Sequence, residues 1–599
     1  MGTRYGRKFH ILMIRLTMLM AARRVARETL VRSSAHGLLI EAIRNGAQSI
    51  LAVVYVRCVN CLFGAFLVHE RGHSERSGRK DRSALEMTSS GDWLPRAVRL
   101  GLTLSSALLL TIAQPPIGLG FVATFSLAPW LIASRRAERA EALGLGLLFG
   151  LAYGLAACPW LPNAFASQGS DGWRSVLGAI LTVLWAKGIM YGLTGGLAHA
   201  LRRRSAVVEV VVLAAFFGLA QLWACTSRWG LPVVLLGHSQ LALPGVAQLA
   251  VVGGAPLVST LLFATNVGLA RAVEDRRGGV PIAAACLAAW PAWAVFGLPL
   301  AQSLRPESSV GSRTLLLVQP AVDREIRWKP AFQRVILDDV ARQTAAALAK
   351  TRIRPDAILW PENLLTKPLA RDPTLREQLD LSVDGWDVPV VTGLVRTTTG
   401  RESRRYRSSI VWWEPGAGEI ASIDKVQAMP LVESSRNFPG RRLLAWLVGG
   451  AAGGPLADEA ENAGPLTGTF TLTPALCFEV LFPRVVSARR SLDSVAIVNL
   501  ADDSWVAGEV ADAQLVAAAA FRAIEQRMTL VRVAHGGLSV VVDAYGRERM
   551  RLPVDVPAHA LVHVVSTAPA TVLERGSILA LGVLPGVIVY LIGRWTLRA

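Results

Sequence analysis

A chain of 599 residues, 52% of them hydrophobic, is too apolar for one water-soluble domain and falls in the membrane class. Its formal charge of +19 does not point to nucleic acid, because the arginines gather in short clusters between apolar segments, such as SRRAER at 134–139 and RRRS at 202–205. Six dispersed cysteines form no disulfide framework or zinc pattern, and the pair Cys58 and Cys61 lacks a second ligand pair.

Residues 1–90 read as an N-terminal extension. They hold one apolar run at 49–68, interrupted by Arg57, and then the hydrophilic HERGHSERSGRKDRS. Either the run is an extra helix or the stretch lies upstream of a functional protein that starts at Met87. The second reading is preferred, because a ninth span must place the N-terminus outside or be re-entrant.

Residues 91–304 are expected to form a membrane domain of seven helices. Stretches of roughly 17–25 apolar residues span a bilayer, and they occur at 97–113, 117–133, 142–161, 174–200, 206–225, 249–270 and 280–303, with an eighth at 576–593 inside a C-terminal segment, 571–599. Basic residues precede the first span (Arg96, Arg99). They recur after the second (Arg135, Arg136, Arg139), fourth (Arg202 to Arg204), sixth (Arg271, Arg276, Arg277) and eighth (Arg594, Arg598). That alternation places the C-terminus in the cytoplasm and residues 305–570 outside. Lys187, inside the fourth span, is a functional candidate by position, although a lysine can also snorkel or pair within a bundle.

Between 313 and 566 the pattern changes to short β-rich runs, among them TLLLVQP, DAILWPE, VPVVTGLV, SSIVWWE, TFTLTPALCFE, SVAIVNL, LVRVAH and LSVVVDAYG. Helical stretches at 330–350 and 511–528 separate them, which indicates an α/β domain over 305–570.

Taken alone, the cysteine in TPALCFEVLFP (473–483) reads as a buried thiol, since free cysteine behaves as a small hydrophobe. Four strings change that reading in combination: RWKPAF (327–332), LWPENLL (359–365), DKVQAMPLVE (424–433) and LCFEVLFP (476–483). Their order of Glu, Lys and Cys resembles the carbon-nitrogen hydrolase (nitrilase) superfamily. With seven spans before the domain and one after, the chain resembles the apolipoprotein N-acyltransferases of bacterial inner membranes over essentially all of 90–599. GLPVVLLGHSQ at 230–240 is similar to a segment of the same family outside the catalytic domain.

The resemblance implies a nitrilase-like α-β-β-α sandwich and a catalytic set of Glu362, Lys425 and Cys477. A thiol is mostly protonated at neutral pH and needs a base before it attacks a carbonyl, which is the role of Glu362. Lys425 would stabilise the oxyanion. Glu433 would be a second acid, and Trp328, Phe478, Glu479 and Trp505 would support the site or line the pocket. Phe478 stands where the family usually has Tyr, Pro430 to Ser434 depart from the usual stretch beyond the Lys, and His535 replaces a residue that is often Asn. Singly, Glu362 reads equally well as a helix N-terminal acid, Lys425 as a solvated strand end and Glu433 as loop. Their joint order, spacing and membrane frame favour catalysis.

The implied activity is acyl transfer from a membrane phospholipid to the N-terminal diacylglyceryl-cysteine of an apolipoprotein. It proceeds through a Cys477 thioester at the periplasmic face of the inner membrane, by a monomer with no metal or organic cofactor. An apolar, glycine-rich insertion, RRLLAWLVGGAAGG at 441–454, reads as a flap on the outer leaflet. Two alternatives stay open: a membrane-tethered amidase acting on a small amide, and a catalytically drifted membrane scaffold.

Overall fold

A computed structural model describes residues 94–304, 311–399, 404–427, 441–447, 464–506 and 508–596. The expectations for residues 1–90, including Met87 and the Cys58–Cys61 pair, and for Glu433 lie outside these residues, as does 448–454 of the expected flap.

The membrane part consists of α1 (Arg96–Ala113), a short α2 (Ala128–Arg135), α3 (Arg139–Ala157), α4 (Gly172–Val183), α5 (Ile189–Leu201), α6 (Ala206–Thr226), α7 (Ala250–Glu274) and α8 (Arg276–Ser303). A π-helical turn, Leu184–Gly188, joins α4 to α5 without a break. Among the described residues seven helices are long and apolar enough to cross a membrane: α1, α3, the joined α4–α5, α6, α7, α8 and a C-terminal helix, Val572–Leu591. Glycines at 146, 150 and 154 let α3 approach the α4–α5 helix closely; a Cβ on Gly146 would lie 2.2 Å from the Tyr191 carbonyl oxygen.

The expected span at 117–133 is not a continuous helix. It begins after Pro115 and Pro116, which cannot continue α1, passes through a 3₁₀ turn at Gly120–Thr124 and ends in the eight residues of α2. Side-chain amides satisfy the backbone that a helix would have satisfied. Asn266 on α7 accepts from the Leu127 and Ala128 N–H groups at 2.7 and 3.1 Å and donates to the Ala123 carbonyl at 2.9 Å. Gln240 donates to the Gly120 carbonyl at 2.7 Å, and Gln114 donates to that of Leu235 at 3.3 Å. Irregular backbone at membrane depth is tolerated when it is buried in protein and hydrogen-bonded in this way.

The basic loops meet at one end of the bundle. Arg99, at the start of α1, pairs with Glu141 at the start of α3 at 2.9 Å. Arg135 pairs with Glu209 at the start of α6, and with Glu274 at the end of α7 at 2.6 Å. Arg271 donates to the Arg202 carbonyl just beyond α5 at 2.8 Å.

The α/β part contains two six-stranded mixed sheets. The first has the order β12-β1-β2-β3-β4-β5, with β1 Ser312–Gln319, β2 Ala357–Leu359, β3 Val390–Thr399, β4 Arg404–Glu414, β5 Gly418–Asp424 and β12 Ala558–Val565. The second has the order β11-β10-β9-β8-β7-β6, with β6 Leu466–Thr467, β7 Thr471–Leu476, β8 Ser494–Asp502, β9 Leu530–His535, β10 Val540–Val542 and β11 Glu548–Arg551. Every β-rich run read from the sequence is a strand; β5, β6, β11 and β12 are additional.

Alternation along the strands builds the layers. Leu315 and Leu317 of β1 face Leu472, Leu500 and Val533 of the other sheet, which makes the core between the sheets. Leu316 and Val318 face the other way, onto α9 (Gln333–Lys350) and α10 (Pro373–Trp386). Beyond α11 (Arg441–Leu447), whose Trp446 meets Trp173 of α4, the outer face of the second sheet is covered by α12 (Pro483–Arg489) and α13 (Glu509–Gln526). The chain then returns through α14 (Val572–Thr596), which packs on α8.

Candidate active site

Two of the expected residues form a buried ion pair on the first sheet. Glu362 follows β2, and Lys425 lies one residue beyond β5; their Nζ and Oε1 atoms are 3.1 Å apart, with both side chains 2% exposed. Ser408 on β4 donates its hydroxyl to the same Glu362 oxygen at 3.1 Å, while its carbonyl accepts from the Lys425 N–H at 2.9 Å. The strand between them has to come close. A Cβ on Gly393 of β3 would lie 2.7 Å from the Glu362 Cα, so that position excludes any side chain. Each charge in such a pair offsets the desolvation of the other, so removing one exposes the other's burial cost.

Cys477 directly follows β7 of the second sheet. Its φ of +43° is left-handed, an uncommon conformation for a non-glycine residue, and the chain turns there into a 3₁₀ helix at Cys477–Leu481. Strain of this kind is kept where the surroundings over-determine it. Asn499 on β8 donates to the carbonyls of Ala475 and Cys477 at 2.9 and 3.2 Å and is itself held by Arg532, which also pairs with Asp503. The Cys477 thiol, in a residue 7% exposed, donates to the Asp502 carbonyl at 3.6 Å.

Glu479 and Arg489 clamp the two halves of the site together. The Glu479 carboxylate accepts from the N–H groups of Val426 (2.7 Å) and Gln427 (3.1 Å) on one side, and from that of Leu476 (3.0 Å) on the other. The residue after Lys425 and the residue before Cys477 therefore share one carboxylate. Arg489, fully buried, pairs with it at 2.5 Å and donates to the Asp424 carbonyl at 2.9 Å. Burial is the largest influence on Glu479 and pushes its carboxyl upward. Arg489 beside it, helped by the Leu476 and Val426 N–H groups, outweighs burial and leaves the carboxyl below the usual range.

The remaining expected residues spread out. Phe478 is buried, with its ring 5.4 Å from that of Phe482. Trp505 lies edge-on to Trp160 of the membrane part at 6.4 Å, and its carbonyl accepts from the Ser167 hydroxyl at 2.9 Å. Cys477, Phe478, Phe482 and Trp505 belong to one apolar cluster with Trp160, Phe165 and the membrane helices. Trp328 is 41% exposed; its neighbour Arg327 is the buried one, paired with Asp502 at 2.7 Å. His535 is buried at the end of β9, and burial, followed by nearby Arg327, pushes its imidazole well below the ordinary range.

Reading the sequence missed Ser408, Arg489, Asn499, Arg532 and Asp503. An arginine followed by another arginine at the end of a short helix looks like a solvated surface. Asn499 and Asp503 lie just ahead of Trp505 in NLADDSWVAG (499–508), and that proximity is the signal that could have found them.

Comparison with known proteins gives the following. The model of the apolipoprotein N-acyltransferase N-terminal domain matches residues 106–268. The chain is 28% identical over 496 residues to an apolipoprotein N-acyltransferase of Allorhizobium ampelinum, covering 78% of this chain and 90% of that protein. It is 29% identical over 467 residues to that of Sinorhizobium fredii, covering 74% and 85%. Among solved structures it is similar to an amidase from Nesterenkonia sp., with a TM-score of 0.31 at 20% identity, covering 44% of this chain and 93% of that one.

Proposed function

We propose a mechanism for a chain that belongs to the apolipoprotein N-acyltransferase family and is a multi-pass membrane acyltransferase. Glu362 takes the proton of Cys477, and the sulfur attacks the acyl ester carbonyl of a phospholipid. Lys425 stabilises the resulting oxyanion. The C–O bond breaks, the lysophospholipid leaves with the proton held by Glu362, and the acyl chain stays on sulfur. The α-amine of a diacylglyceryl-cysteine at the apolipoprotein N-terminus then attacks the thioester. The N–C bond forms, the S–C bond breaks, and the amine's proton returns to the site.

The observation that carries this reading is the shared clamp: Glu479 ties the Lys425 loop and the Cys477 turn together, and Cys477 sits in an apolar cluster continuous with the membrane helices. A phospholipid cannot leave the bilayer cheaply, at about 0.8 kcal/mol for each buried methylene. A nucleophile embedded in the membrane-facing cluster meets its donor without that cost.

The same reading takes the broken segment 114–135 as a crossing, because Arg99 and Arg135 lie at one end of the bundle although α1 runs away from it. Eight crossings result, seven before the catalytic domain and one after. With the basic end in the cytoplasm, a nitrilase-like domain over 305–570 faces the periplasm. We assign Glu433 as a second acid, Phe478 and Trp505 as pocket walls, Trp328 as a rim residue, and 441–454 as a flap that keeps water from the thioester. The enzyme acts as a monomer, without metal or organic cofactor.

Intact-protein mass spectrometry of the detergent-purified protein, incubated with phosphatidylethanolamine beside Cys477→Ala, tests the assignment. An acyl-sized mass increase lost in the variant is expected. No adduct with any of several phospholipid headgroups, on folded protein, overturns it.

A further inference from the structure

Lys187 has no place in the mechanism above, yet it is a buried cation inside a membrane helix. It lies on the π-helical turn Leu184–Gly188, and no described carboxylate comes within ion-pair distance of it. Its ammonium instead donates to two consecutive backbone carbonyls, Val233 at 2.8 Å and Val234 at 3.4 Å. Placing a charge there is costly, and intramembrane lysines are kept for a task. A π-turn inside a helix also marks such positions.

What Lys187 holds is a strained loop. Val234 has a φ of +45°, which a β-branched residue avoids. Its carbonyl also accepts from the Tyr153 hydroxyl of α3 at 2.9 Å, and the Trp185 indole donates to the Trp229 carbonyl at 3.4 Å. The loop between α6 and Leu235 is therefore pinned from below by α3 and the α4–α5 helix.

Its upper side reaches the catalytic domain. The Arg228 carbonyl accepts from the Gln427 side chain at 2.9 Å, and the Gln427 backbone is one of the three N–H groups held by Glu479. Gln427 is two residues beyond Lys425 and is buried at this junction. The chain of contacts runs from Lys187 through the 228–234 loop to Gln427 and Lys425.

We propose that Lys187 is a positioning residue for acyl transfer: by fixing the 228–234 loop it presents the Arg228 carbonyl to Gln427, and so sets Lys425 against the oxyanion site. This rests on the assignment of Lys425 above. Misplacing a catalytic group by about 1 Å costs up to roughly 100-fold in rate. A positioning defect should appear in the chemical step and leave donor binding in place.

The test uses the full-length protein with phosphatidylethanolamine as donor, following Cys477 acylation by mass under single-turnover conditions. Lys187→Met is expected to slow thioester formation by about tenfold or more, with the half-saturating lipid concentration changed less than about twofold. Gln427→Leu is expected to do the same. The double variant should be no slower than the slower single variant, because both act through one chain of contacts. Equal rates in Lys187→Met and wild type, losses that multiply in the double variant, or a loss carried by lipid affinity each overturn the proposal. If Lys187→Met does not fold, Tyr153→Phe removes the neighbouring bond on Val234 without burying a new group and enters the same cycle. A wild type that forms no thioester would instead sink the catalytic assignment itself.

Discussion

The two halves of the α/β domain are wired alike and hold different groups. From β12 to β5 the first sheet pairs antiparallel, parallel, parallel, antiparallel and antiparallel, and from β6 to β11 the second sheet repeats that series. In each half a helix joins the first two parallel strands, α9 in one and α12 in the other, and a second joins the next pair, α10 and α13. The first half contributes a buried charge pair, Glu362 and Lys425, whose members offset each other. The second contributes a cysteine on a strained turn, held by the Asn499 amide. One topology therefore supports two ways of keeping a costly group: mutual charge compensation, and over-determination by surrounding hydrogen bonds.

The largest effects should come from breaking the compensated pair. Lys425→Met leaves a buried carboxylate without its partner, so it is expected to cost about 3–5 kcal/mol of stability and at least about 100-fold in thioester formation. Glu362→Gln should lose as much activity, but less stability, because the neutral amide oxygen still accepts a hydrogen bond from the Lys425 ammonium. Thermal unfolding beside single-turnover acylation separates the two. Equal stability losses would mean that an amide acceptor does nothing for the buried ammonium.

Breaking the clamp between the halves should come next. Arg489→Met leaves Glu479 buried and uncompensated while its three backbone donors persist, so it is expected to destabilise by about 3 kcal/mol and slow acylation roughly tenfold to 100-fold. Replacing both Glu479 and Arg489 by Met should recover neither stability nor rate, because the N–H groups of Val426, Gln427 and Leu476 lose their shared acceptor. Recovery of rate in the double variant would show that the clamp only stabilises. A smaller loss is expected for Gly393→Ala, whose methyl must push Glu362 aside: about 1–3 kcal/mol, with activity falling further than in an alanine substitution of an outward-facing β3 residue.

Sequence pattern carried the strands that are apolar on both faces and missed those that are not. β12 interleaves His559 and His563 with its apolar residues and pairs with β1 across more than two hundred residues of chain, so no local signal announces it. α10 is a polar segment whose start is set by Asp372, which caps the Leu375 N–H, and by Pro373 at the first position. At 117–133 hydropathy pointed to one continuous helix and the chain is broken there, since the groups that let the backbone break, Asn266 and Gln240, lie more than a hundred residues away. Glu362, Lys425 and Cys477 stood out in the sequence because the proposed reaction constrains their types and order. Arg489 and Asn499 were not, because what they satisfy is backbone, and backbone geometry is written in no single side chain.

The smallest expected effect compares the corresponding helices α10 and α13. Asp372 at the start of α10 is held down to about 2, chiefly by its hydrogen bond from Lys367 and by the Leu375 N–H. Asp512 in the first turn of α13 is pushed up to about 7, first by burial and then by Asp503. The two signs are opposite. Asp372 adds stability that is present above its ordinary value near 3.9 and is lost as pH falls towards 2. Asp512 favours the folded state fully only below that ordinary value, and its contribution is lost as pH rises through about 7. Asp512→Asn should therefore unfold a few degrees higher than wild type at pH 8 and gain nothing at pH 4. Asp372→Asn should unfold lower at both, with the smaller loss at pH 4. Melting curves across that range decide it: a uniform shift for Asp512→Asn at all pH values would mean the carboxyl is ionised throughout and that α13 tolerates its N-terminal acid as α10 does.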